Sequence, residues 1–71
     1  MSDPKSEIEA LDRDIVLAGR RIAELEALAV DTSPHGASPR IVRALLAEWQ
    51  DRLREMQRRR EALHRRIRLT E

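Results

Sequence analysis

An apolar seven-residue repeat runs twice through this chain and is broken once, and that arrangement leaves few folds open. Ile8, Leu11, Ile15, Ala18, Ile22, Leu25 and Ala29 follow one another at alternating steps of three and four. The same spacing returns in Val42, Leu46, Trp49, Leu53, Met56, Arg60, Leu63, Ile67 and Thr70, with Arg60 as the charged interruption. Steps of three and four place each set along one stripe of an α-helix, at heptad positions a and d. Between the stripes, residues 31–39 (Asp-Thr-Ser-Pro-His-Gly-Ala-Ser-Pro) collect the Pro, Gly and small hydroxylated residues that favour turns.

The start signals agree with two helices. Asp3-Pro4 and Ser38-Pro39 each offer a capping side chain followed by Pro at the first helical position. Ser6-Glu7-Ile8-Glu9 has the form of a capping box, so the first helix has two competing start points. With one aromatic residue and 38% charged residues, the chain is poor material for strands. The expected fold is all-α: an antiparallel, coiled-coil-like two-helix hairpin in a single domain over residues 1–71. Its helix one covers about 4–31, its loop about 32–38 and its helix two about 39–70.

An antiparallel register in which facing residue numbers sum to 71 pairs Ile22 with Trp49, Ile15 with Met56 and Ile8 with Leu63, and leaves only Leu11 opposite Arg60 as a mixed layer. It also sets Asp14 against Arg59, Glu7 against Arg66 and Glu26 against Arg43, with Arg21 and Arg52 as the one repulsive pair. Residues 1–31 hold eight acids and four bases, and residues 32–71 hold five acids and ten bases, so the helices attract. Arg60 is expected to carry its head group out of the seam towards Asp12, Asp14 or a partner chain, with register specification as its alternative role. Trp49 is expected to anchor the core, with Ala18 and Gly19 leaving room for its ring.

A chain of 71 residues without cysteine lacks the disulfides that commonly stabilise small domains, and one seam cannot cover all its apolar side chains. Leu17, Leu28, Ile41 and Leu45 share one side of the hairpin, at positions c and g, and Val16 and Val30 widen helix one elsewhere. These six are the candidate dimer or partner interface, and dimerisation into a four-helix bundle is the expected remedy. An unidentified protein partner is the other candidate occupant of that surface.

Charge offers a competing reading. Residues 50–68 carry eight Arg against Asp51, Glu55 and Glu61, which suits a sequence-neutral nucleic-acid-binding accessory protein with Arg58, Arg65 and Arg68 on phosphates. A net charge of +1 and the lack of stacking aromatics other than Trp49 make a solvated outer face the better expectation. His35 and His64 have no metal-ligand spacing, no Gly-rich phosphate loop is present, and no cofactor, metal site or catalytic residue is expected. Ala10-Leu11-Asp12-Arg13-Asp14-Ile15, followed by Arg20 and Arg21, resembles the first helix of the all-helical chorismate mutases. The resemblance covers one helix, and the third helix and further cationic residues of those enzymes have no counterpart, so no enzyme is expected. The apolar runs are too short to span a bilayer, the start lacks signal-peptide character, and the narrow apolar seam of helix two leaves little for a membrane surface. The expectation is a cytoplasmic, non-enzymatic interaction module.

Overall fold

Asp3 starts the first helix by leaving it. In the computed structural model, which describes residues 3–30 and 38–70, its backbone is extended at φ −66° and ψ 132°, and its carboxylate accepts the Lys5 N–H at 3.2 Å. Its carbonyl accepts the Glu7 N–H at 3.0 Å, closing the first turn. Pro4 fits there because its missing N–H would have no helical partner. Of the two competing starts, the Asp3-Pro4 signal is the one used, and Ser6 lies inside the helix. This helix, α1, spans Pro4–Ala29, with Val30 as its C-cap. The second, α2, spans Pro39–Thr70. Its first turn is closed by the Val42 N–H on the Ser38 carbonyl at 3.0 Å, and at its far end the Thr70 hydroxyl donates to the Arg66 and Ile67 carbonyls. Asp31 and the expected loop residues 32–37 lie outside the described residues.

The two helices pack side by side, and no strand occurs among the described residues. Glu7 and Asp12, in the first half of α1, reach Arg59 and Arg60 in the second half of α2, so the helices run antiparallel as a hairpin. The body measures 56 × 18 × 15 Å. That is close to the roughly 48 Å of a 32-residue helix and the width of two helices.

The repeat dictates what is covered. Ile8, Ala18, Ile22, Leu25, Val42 and Leu63 are buried, and Leu11, Ile15, Leu46, Trp49, Leu53, Met56, Arg60 and Ile67 are half-buried. Only Ala29 and Thr70 of the two stripes are exposed, both at helix ends. Ala18 has no accessible surface, and so small a side chain is covered completely only where the facing helix comes close. A single seam between two helices stops there. Among the described residues Val16, Leu17, Leu28, Val30, Ile41 and Leu69 stay exposed, so more large apolar side chains face water than lie in the buried core, where Ala18 is one of the six.

Candidate interaction surface

The seam divides the hairpin into two sides of different chemistry. On one side Asp14, Leu17, Trp49, Arg52, Glu55 and Met56 line a shared cleft. Trp49 belongs to the seam by spacing, yet it is half-buried, with part of its ring forming the cleft wall. The Arg52 guanidinium stacks 5.0 Å from the ring centroid, an arrangement favoured by the negative face of the indole. Leu17 and Ile41 are each 59% exposed, Leu28 is 43% exposed and Leu45 is half-buried. Their heptad positions place all four on this Trp49 side, Leu28, Ile41 and Leu45 near the loop and Leu17 at mid-hairpin. Leu69, 86% exposed at the open end, falls at the same heptad position as Ile41 and was not among the residues singled out from sequence. Its spacing from Ile41, four heptads on, was the signal that would have found it.

On the other side Asp12, Ile15, Val16, Gln57, Arg60 and Glu61 line a more polar cleft, crossed by the Arg60 Nε to Asp12 ion pair. Arg60 thus leaves the seam as its chemistry requires, with its stem on the apolar layer and its charge satisfied at the edge. Val16 belongs to this side and to a shallow apolar cleft over the back of α1 with Asp12, Arg13 and Leu17. The six interface candidates are therefore not one patch: heptad position sets Leu17, Leu28, Ile41 and Leu45 on the Trp49 side, with Leu17 apart from the other three, and sets Val16 and Val30 elsewhere. Gly19 also lies away from Trp49. A methyl group there would meet nothing within 4 Å, so Gly19 makes no room for the indole, and Ala18 alone thins the seam.

Several charges on the Trp49 side are engaged within the chain. Arg21 turns to Glu24 on its own helix at 3.1 Å and Arg52 to Trp49, which removes the expected repulsion between these two arginines. Arg59 reaches Glu7 at 3.7 Å rather than the expected Asp14. On the outer face of α2, Arg54 binds Asp51 at 2.8 Å, Arg58 binds Glu55 at 2.6 Å and Arg65 meets Glu61 at 3.8 Å. Each acid lies one turn before its arginine, the orientation that stabilises a helix best. Of the three phosphate-binding candidates, Arg58 and Arg65 are engaged in this way, and Arg68 makes no ion pair with a described residue.

Among the described residues no group of His, Cys, Asp or Glu is arranged to hold a metal ion, and no helix is long and apolar enough to cross a membrane. Comparison with protein-family models, curated proteins and solved structures gives no match.

Proposed function

We propose that this chain is a non-enzymatic interaction module, a helical hairpin that associates with a second copy of itself through its Trp49 side. The observation that carries this reading is the collection of Leu17, Leu28, Ile41 and Leu45 on one side, together with the open wall of Trp49 and Met56, in a hairpin whose own core holds few residues. Full burial of an aliphatic side chain is worth roughly 1.5–3 kcal/mol, so covering the exposed half of four such residues on each of two copies contributes about 6–12 kcal/mol. Association costs of about 4–15 kcal/mol oppose it. The two are comparable, and the dimer is expected to form and dissociate in an experimentally accessible concentration range.

Sedimentation and thermal melts at several concentrations test the reading. A dimer mass, a thermal midpoint that rises with concentration and a blue shift of Trp49 emission on association are expected, since Trp49 is the sole fluorophore of this kind. Leu28→Glu combined with Leu45→Glu is expected to abolish association, whereas Val16→Glu with Val30→Glu, on the other side, is expected to spare it. A monomer mass and a concentration-independent melt would overturn the proposal.

A further inference from the structure

Resting on that reading, we propose that the two copies align with their loops at the same end, related by a two-fold axis parallel to the helices, so that α1 of each copy lies beside α2 of the other. Area sets the first condition. One side of the hairpin is 18 Å wide, and the length shared by the helices is that of the 26 residues of α1, roughly 39 Å. A full side therefore offers roughly 700 Å², close to the 800 Å² or so per partner of a stable interface, and a half-overlap falls well short. The copies must overlap along nearly their whole length.

Two symmetric alignments do that, and their consequences differ level by level. The Asp12 to Arg60 pair fixes which residues share a level. With loops together, Leu28, Ile41 and Leu45 meet their own counterparts, and so does the cleft of Leu17, Trp49 and Met56. The acidic start of α1, with Glu7 and Asp14, then lies beside the basic end of the other copy's α2, with Arg59 and Arg66. With loops at opposite ends, Leu28 and Leu45 are laid over the level of Glu7 and Arg66, burying charges under leucine with no partner gained. Only the first alignment matches apolar with apolar and acid with base along the side. Its unfavourable meetings are Arg21 with Arg52 of the other copy, each already engaged on its own helix by Glu24 and by the Trp49 ring, and Glu24 with Glu48 of the other copy.

The meeting of Glu24 with Glu48 supplies one test. Glu48→Lys turns two repulsive contacts per dimer into attractive ones and is expected to tighten the dimer roughly two- to thirtyfold, the ordinary worth of two exposed ion pairs. In the opposed alignment residue 48 meets Ala10 and Ala62, and the dissociation constant stays unchanged. Spin-label distances supply the other, because a chain without cysteine accepts single labelling cysteines cleanly. Ala44→Cys and Arg65→Cys sit on the outer face of α2, about 32 Å apart along it. Like-labelled dimers are expected to show similar, short distances at both positions, and a mixed dimer carrying one label of each kind the longest. A mixed dimer with the shortest distance, or an unmoved dissociation constant for Glu48→Lys, overturns the alignment while the dimer stands. A monomer mass overturns self-association itself.

Discussion

Arg60 occupies a layer that the repeat would otherwise make apolar, and it holds that place by reaching Asp12 at the edge of the seam. Both side chains are about half exposed, so their attraction is screened and worth at most about 1 kcal/mol. A leucine at position 60 gives up that pair and adds apolar surface between the helices, close to Leu11 and Leu63, where each buried CH₂ contributes about 0.8 kcal/mol. Arg60→Leu is therefore expected to stabilise the chain by about 0.5–1.5 kcal/mol, read as a higher midpoint in urea with an unchanged slope. A more stable leucine variant would assign Arg60 to register, as single polar residues are assigned in coiled coils. Asp12 makes the match directional, because only one alignment of α1 on α2 lets the guanidinium meet it.

At the scale of the element, α1 and α2 were legible for different reasons. Regular spacing marked the stripe of each helix, and the Asp3-Pro4 and Ser38-Pro39 pairs marked where each begins, because a cap and a fixed φ act within a few residues of sequence. Partners of the charged flanking residues were less legible. Arg59 spans more than a helical turn and settled on Glu7, and Arg21 and Arg52 found partners on their own helices. Heptad arithmetic pairs Cα positions, whereas long side chains choose among all acids within reach. The side of Gly19 was misjudged for a related reason: adjacency to Ala18 in sequence puts it one hundred or so degrees around the helix, away from Trp49. That exposed mid-helix glycine, with open space where a methyl group would go, gives a prediction. Gly19→Ala is expected to stabilise by about 0.5–1 kcal/mol, which for a chain of this size raises the thermal midpoint by a few degrees, on the order of 2–8 °C. Because Gly19 faces away from the proposed interface, the concentration dependence of the melt is expected to keep its slope.

For the whole molecule the separation of charge is more informative than its total. The acidic helix and the basic helix lie side by side, and on α2 the acids Asp51, Glu55 and Glu61 each hold an outward arginine. An arbitrary duplex must displace those carboxylates to engage Arg58 or Arg65, so binding at 50 mM salt is expected to be no tighter than about 10⁻⁴ M and to vanish by 200 mM. Titration by fluorescence anisotropy checks this, and submicromolar binding that weakens on Arg58→Glu, Arg65→Glu and Arg68→Glu would restore the phosphate reading. The hairpin also imposes an order in time. Ile8, buried near the open end one turn before Asp12, is level with Leu63, one turn after Arg60. During synthesis α1 therefore leaves the ribosome with the wider apolar circumference of the two helices and has nothing to close its first turns until residue 63 follows. Through that interval its exposed seam is open to chaperones and to neighbouring nascent copies, so the self-association proposed for the folded hairpin is also a hazard for nascent copies on the same message.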